Sequence, residues 1–139
     1  MRAPSQADEP VALNINSEAI GFIIVKAREF DAKVEPIELD PGSNPADDDE
    51  REIFADYGDD PTLEELRGAI DSLDDDEIVD LIALAWVGRG DFDRSEWLQA
   101  RHLAADRHRP HSAEYLIGMP ALGDYLEEGL AVLGYSMLD

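Results

Sequence analysis

The first clear helical pattern along the chain begins near Asn16 or Ser17. Apolar residues recur there at intervals of three and four positions, which is the spacing of one face of an α-helix. They are Ile20, Ile23, Ile24, Ala27, Phe30 and Val34. Asn16 and Ser17 are residue types that commonly cap the amino end of a helix. The pattern therefore predicts an amphipathic helix whose apolar face lies in the core.

The strongest apolar run, LIALAWV, occupies residues 81–87. A helix that is apolar on every side lies in the interior of a domain. Asp74 and Glu77 precede this run with the three-residue spacing of a capping box, in which each side chain bonds the other residue's backbone N–H. The sequence thus predicts a buried central helix from Asp75 to Val87.

Four further segments carry helical start signals or helical periodicity. Thr62 and Glu65 have the spacing of a second capping box, and Pro120 stands where the first position of the last helix is expected, a place that favours proline. The predicted helices run from residue 62 to about 73, from 94 to about 108, from 112 to 117 and from 120 to 134. No segment alternates convincingly between apolar and polar residues. The fold class predicted is all-α, a single-domain bundle of about five to six helices.

Two regions lack helical periodicity. Residues 1–13 are polar and contain two prolines, which predicts a flexible amino-terminal arm before a single helical domain at 14–139. Within that domain, residues 35–61 are rich in proline, glycine and carboxylates, which predicts a long acidic loop or insert. The apolar residues in its second half leave open a short helix that packs onto the core.

The net charge of the chain limits the kinds of molecule that it can bind directly. Thirty-three acidic residues face 11 basic ones, for a formal net charge of -22. A field of that sign repels the phosphates of nucleic acids and anionic lipids. We therefore expect neither a nucleic acid nor a membrane as a direct partner.

The chain contains no cysteine, which excludes a disulfide framework, a thiolate nucleophile and a zinc–thiolate site. Its amino terminus lacks the apolar run of a signal peptide, and the run at 81–87 is far shorter than a membrane span. We expect a cytoplasmic protein.

Residues 87–93, VGRGDFD, resemble a functional loop but also fit a corner between two helices. Gly88 stands where a left-handed helix C-cap is expected, and Asp93 with Glu96 has the spacing of a capping box. Phe92 and Trp97 fall at the two positions of a hydrophobic staple. Capping therefore favours a structural corner over a ligand site.

The segment from residue 89 to residue 111 contains five of the nine arginines and all three histidines. Arginines in so acidic a chain usually pair with internal carboxylates, and we favour that interpretation. The alternative is an anion pocket or a contact face that uses the planar guanidinium. The candidate ligand- or partner-binding residues are Arg89, Asp91, Arg101 and His102.

No metal, cofactor or catalytic site is predicted. His102 and His108 are six residues apart, whereas a helical pair of ligands needs a spacing of three or four. The acidic clusters at 47–50 and 74–77 do not match the register of an EF-hand loop. Nucleophile-elbow, P-loop and dinucleotide-binding motifs do not occur, so an enzyme is uncertain and less favoured.

The segment ALAWVGRGDFDRSEW resembles an uncharacterised bacterial family of short acidic helical proteins, the domain of unknown function DUF3775. The segments LNINSEAIGFIIVKAREFD and AEYLIGMPALGDYLEEGLAVLG share the resemblance, which extends over about residues 13–135 and includes the insert DPGSNPADDD. The resemblance implies a small helical domain without an assigned activity. It implies no catalytic residues.

Three functional hypotheses follow. The first is a non-enzymatic interaction module that forms a homo-oligomer or binds another protein through the arginine-rich segment or the acidic insert. The second is a binder or enzyme for a small anionic ligand, in which Arg89 and Arg101 hold the anion and His102 or Asp91 handles a proton. The third is a mimic of a nucleic acid that sequesters basic proteins.

Overall fold

The structure is a computed structural model and describes residues 10–33, 60–107 and 112–135. These residues form six α-helices and a single-turn 3-10 helix, Arg94–Glu96, and contain no β-strand. The α-helices are α1 (Ser17–Lys33), α2 (Pro61–Asp71), α3 (Asp75–Arg89), α4 (Trp97–Arg107), α5 (Ser112–Ile117) and α6 (Leu122–Val132). The predicted all-α bundle is confirmed.

Helix α3 forms the centre of the bundle. Every residue from Val79 to Val87 is buried, as its all-round apolar sequence predicts. It packs most extensively against α6 and also against α4, while α1 packs against α6 and α2. The predicted face of α1 is buried in the same core from Ile20 to Phe30, and its last predicted residue, Val34, lies outside the described residues.

The capping box at the start of α3 is confirmed. The backbone N–H of Glu77 donates to Oδ1 of Asp74 at 2.9 Å, and the backbone N–H of Asp74 donates to Oε1 of Glu77 at 2.9 Å. Two amide groups that the helix itself leaves unbonded are satisfied in this way. The connection from α2 to α3 is therefore fixed locally.

The capping box predicted at Thr62 and Glu65 is wrong. Helix α2 begins one residue earlier, with Asp60 as the N-cap and Pro61 in the first turn. Oδ1 of Asp60 accepts the backbone N–H of Thr62 at 2.8 Å and that of Leu63 at 3.2 Å. Aspartate before proline is the stronger start signal because proline needs no amide partner at the first helical position.

The amino group of Lys33, at the end of α1, lies against this cap. It contacts Oδ1 of Asp60 at 3.2 Å and donates to Oγ1 of Thr62 at 2.8 Å. Burial alone would raise the pKa of the Asp60 carboxyl group. Hydrogen bonds from the Leu63 N–H, the Lys33 ammonium group and the Thr62 N–H lower the pKa by more than burial raises it. The pKa of Asp60 therefore lies below its ordinary 3.8.

The predicted C-cap at Gly88 is also wrong. Helix α3 continues to Arg89, and Gly90, with φ of 97°, is the left-handed cap. Gly88 lies inside the helix, where an added Cβ would meet the backbone oxygen of Tyr125 at 1.7 Å. The absence of a side chain at Gly88 thus permits α6 to approach α3 closely.

The last helix begins later than predicted. Ala121 has φ of 64° and precedes Leu122, so Pro120 belongs to the turn and not to the first turn of α6. The left-handed glycine predicted at the end is present: α6 ends at Val132, Leu133 is its C-cap, and Gly134 has φ of 99°. The left-handed conformation of Ala121 interrupts the backbone that a helix from residue 120 would need.

Two predicted regions lie mostly outside the described residues. Of the amino-terminal arm at 1–13, only residues 10–13 are described, and there Val11 and Leu13 pack at the edge of the core. The acidic insert at 35–61 is described only at Asp60 and Pro61. Its form and the full domain boundaries therefore stay predictions.

Candidate functional site

The corner between α3 and α4 holds Arg89 and Asp91 together. The backbone N–H of Asp91 donates to the carbonyl of Trp86 at 3.0 Å and that of Gly90 to the carbonyl of Val87 at 3.1 Å, a Schellman motif. This turn places the Asp91 carboxylate beside the last turn of the helix. Nε and Nη2 of Arg89 donate to Oδ2 of Asp91 at 2.9 and 2.6 Å.

Asp93 starts the 3-10 turn that leads into α4. Its backbone N–H donates to Oε1 of Glu96 at 2.9 Å, and its Oδ1 accepts the hydroxyl of Ser95 at 2.6 Å. The predicted pairing of Asp93 with Glu96 at this helix start is therefore present. The ring of Phe92 packs against Trp86, with centroids 5.9 Å apart, whereas the staple predicted Trp97 as its partner. The Schellman turn brings Phe92 back toward α3.

A cleft opens beside this corner, between the end of α3, α4 and α5. Its volume is about 300 Å³. We call it the corner cleft, and its lining includes Trp86, Arg89, Asp91, Phe92, Arg107 and Tyr115. Nε1 of Trp86 donates to the hydroxyl of Tyr115 at 2.8 Å, which joins α3 to α5 at the cleft wall.

Arg101 lies elsewhere and pairs with a buried carboxylate. Its Nε donates to Oδ1 of Asp80 at 2.6 Å, and the Asp80 side chain is only 1% exposed. Oδ2 of Asp80 accepts the backbone N–H of Ile15 at 3.2 Å and that of Asn14 in a still shorter bond. The internal pairing that we favoured from the sequence therefore applies to Arg101 as well as to Arg89.

Asp80 is a buried charged residue that the sequence analysis did not identify as important. It joins the amino-terminal segment, α3 and α4 through one carboxylate. A signal was present, because Asp80 is the one charged residue between Ile78 and Val87. A buried carboxylate must be paired and hydrogen-bonded to be tolerated, so its presence in an apolar helix indicates distant partners.

The end of α6 completes this arrangement. The hydroxyl of Tyr135 donates to the carbonyl of Val11, and the backbone N–H of Val11 donates to the carbonyl of Leu133 at 2.9 Å. Burial raises the pKa of the Tyr135 hydroxyl, and the negative charge of Asp80 raises it further. Residues 10–15 are thus held by α3, α4 and the turn after α6.

A second cleft lies between residues 11–14 and the start of α4. Its volume is about 450 Å³. We call it the terminal cleft, and its lining includes Val11, Asn14, Arg94, Trp97, Leu98 and Arg101. The side chain of Leu98 stands at its edge and is 76% exposed, the largest exposure among the large apolar side chains of the described residues.

The structure does not bring the four candidate residues together. Arg89 and Asp91 line the corner cleft, and Arg101 lines the terminal cleft. His102 is exposed on α4 and lines neither. A single anion site that uses both Arg89 and Arg101 has no support from these positions.

The described residues offer no group of three histidine, cysteine or carboxylate side chains placed to hold a metal ion. Across the same ranges, none of the helices combines the length and the apolar character that crossing a membrane requires.

The family model described as "Protein of unknown function (DUF3775)" matches residues 63–135, which is 73 of 139 residues. The chain belongs to this family. The DUF3775 match runs from the first turn of α2 to Tyr135 and contains the corner between α3 and α4. Helix α1 and the acidic insert, which we included in the resemblance, lie outside the matched residues. No curated protein and no solved structure matches the chain significantly.

Proposed function

We propose that this DUF3775 protein is a non-enzymatic interaction module that self-associates through the face of α4 around Leu98. We place this protein in the reducing cytoplasm, a compartment that suits a chain without cysteine. The observation that carries the proposal is the exposure of Leu98 at the edge of an open cleft. Apolar surface that is rimmed by polar residues is a feature of protein contact sites.

The surroundings of Leu98 have the composition of an interface. Arg94, Arg101 and His102 stand four residues before, three after and four after it on the helical sequence, so they flank it on one face. Interfaces commonly place an apolar centre inside a polar rim and are enriched in arginine. Because Nε of Arg101 is held by Asp80, part of this rim is fixed before any partner binds.

The occupant that fits this face best is a second copy of the chain. The terminal cleft and the Leu98 side chain adjoin each other on one surface. In a twofold dimer, each copy would insert its Leu98 into the terminal cleft of the other, so that one patch supplies both complementary shapes. Apolar lining at Val11 and Trp97 suits that side chain.

Charge also favours this face for self-association. Two chains of net charge -22 repel each other over most approaches. Between residues 89 and 111, five arginines face four carboxylates, so this segment has a formal charge of one positive unit. Two copies therefore meet with the least repulsion where α4 faces α4.

Substitution of Leu98 by glutamate tests the location of the contact. We expect Leu98→Glu to remove self-association, because it places a carboxylate where the apolar side chain was buried by the partner. Light scattering after size exclusion, at protein concentrations up to about 0.5 mM to capture a weak interface, measures the mass against the 15.4 kDa monomer.

The matched control is Val25→Glu on α1, which makes the same kind of change at a residue that is 52% exposed. Wild type and Val25→Glu should rise above the monomer mass with concentration, while Leu98→Glu stays at it. Loss of association in Val25→Glu to the same degree, or none in Leu98→Glu, would contradict the proposed contact.

A further inference from the structure

We infer that the corner cleft binds a small aromatic carboxylate. This binding site is separate from the Leu98 face and does not depend on self-association. Its walls are aromatic, its carboxylate-binding group is Arg107, and its volume limits the ligand to about one ring. Arg107 is not among the four candidate residues that the sequence indicated.

The aromatic wall is preassembled. Trp86 and Phe92 lie at an interplanar angle of 31°, and the hydroxyl of Tyr115 accepts the indole N–H of Trp86. Trp86 is only 4% exposed, so a ring that enters the cleft meets mainly the half-buried Phe92 and Tyr115 and reaches only an edge of the indole. Such aromatic contacts are favourable beyond burial alone. Leu103 adds an aliphatic contact from α4.

Arg107 supplies the positive charge. It follows Leu103 by four residues, so both side chains lie on the face of α4 that lines the cleft. Within the residues that the structure describes, no carboxylate pairs with Arg107. A guanidinium group binds carboxylate through two parallel N–H donors, which gives both charge and direction.

The local charge favours an anion despite the acidity of the chain. Arg89 and Arg107 line the corner cleft together with the single carboxylate of Asp91. The cleft therefore has a formal charge of one positive unit, while the whole chain carries -22. Asp91 is held by Arg89, which limits how far that arginine can assist, and leaves Arg107 as the main contact for the ligand.

The size of the corner cleft limits its ligand. A volume of about 300 Å³ is at the lower end of the range for small-molecule pockets. One aromatic ring with a carboxylate directly attached fills such a space while the carboxylate reaches its rim. Benzoate is therefore the appropriate probe, with benzamide as a neutral analogue of the same shape and acetate as the charge without the ring.

NMR of the indole N–H groups tests the proposal directly. The chain has two tryptophans, of which Trp86 lines the corner cleft and Trp97 lines the terminal cleft. We expect benzoate to shift the Trp86 signal saturably and to leave the Trp97 signal in place. Benzamide and acetate should each bind at least about tenfold more weakly, since each lacks one of the two interactions.

Arg107→Gln should weaken benzoate binding by about tenfold or more, because a hydrogen bond to a charged group is lost. Arg28→Gln is the matched control: it changes charge equally, and Arg28 pairs with Asp124 and Glu127, away from the cleft. The inference is overturned if benzoate produces no saturable shift of Trp86. It is equally overturned if benzamide binds as well as benzoate, or if both variants have the same effect.

Asp91→Asn should change the affinity for benzoate in the opposite direction to Arg107→Gln. Removal of the carboxylate from the cleft should raise the affinity for benzoate by about threefold, a small effect because Asp91 is partly exposed to solvent. An unchanged or weaker affinity in this variant would show that the corner cleft does not recognise negative charge.

Discussion

At the scale of single residues, Asp80 and Tyr135 connect segments that are far apart in the sequence. Asp80 receives bonds from Asn14, Ile15 and Arg101, and Tyr135 bonds Val11 from the other end of the chain. A buried charge with several partners is costly to leave incomplete. These contacts therefore fix residues 10–15, of which Val11, Ala12 and Asn14 line the terminal cleft.

Tyr135 predicts a dependence of stability on alkaline pH. Burial and the charge of Asp80 place the pKa of the folded-state hydroxyl above the ordinary 10.0. A raised folded-state pKa contributes stability that is fully present below pH 10.0 and is lost as pH rises through the folded value. Ionisation also removes the hydrogen that the hydroxyl donates to Val11.

Chemical denaturation of wild type and Tyr135→Phe across this pH range measures the effect. Wild type should have the higher free energy of unfolding at neutral pH, and the difference should shrink as pH rises above 10.0. A difference that stays constant with pH would refute this role for the hydroxyl.

The local sequence does not determine which residues Asp80 bonds. The partners of Asp80 lie 66 and 65 residues before it and 21 residues after it. Periodicity and capping describe neighbours within a few residues, so they place Asp80 on a buried helix but do not name its partners. For the same reason, the sequence grouped Arg89 with Arg101, while the fold assigns them to different clefts.

At the scale of helices, the crossing of α3 and α6 depends on two glycines. A Cβ at Gly88 would meet the backbone oxygen of Tyr125 at 1.7 Å, and one at Gly129 would meet that of Leu84 at 2.3 Å. Because these neighbours are backbone atoms, they cannot turn aside as a side chain can. The two helices pack at a distance that only glycine permits.

Gly88→Ala should therefore destabilise the protein by about 3 kcal/mol, because α6 must move away from the central helix. Gly68→Ala is the control, since nothing lies within 4 Å of its added Cβ on the exposed side of α2. That change should stabilise by about 0.5–1 kcal/mol through helix propensity. Urea denaturation gives both values, and similar effects at the two positions would contradict the proposed close approach.

Some helix ends could be predicted from the sequence, whereas the role of Gly88 could not. The Asp74 and Glu77 capping box and the left-handed Gly134 after the last helix follow from local bonding and are confirmed. Gly88 was misread because a glycine near the end of an apolar run fits a C-cap, whereas its role depends on Tyr125 of α6. Tertiary packing decided between two uses of the same residue type.

At the scale of the whole molecule, periodic apolar residues were sufficient for the all-α architecture and for α3 as its centre. The two clefts arise from where α4 meets other segments, which no single stretch of sequence specifies. The net charge of -22 sets the conditions under which two copies meet. It opposes association at long range, while the Leu98 face favours contact at short range.

Sedimentation velocity of the wild-type chain over a range of concentrations and salt tests self-association most directly. We predict a concentration-dependent dimer whose fraction increases between about 20 and 150 mM salt, because screening shortens the range of the repulsion between the two acidic chains. A 15.4 kDa monomer at every concentration and salt, or a dimer that dissociates as salt is added over this range, would contradict it.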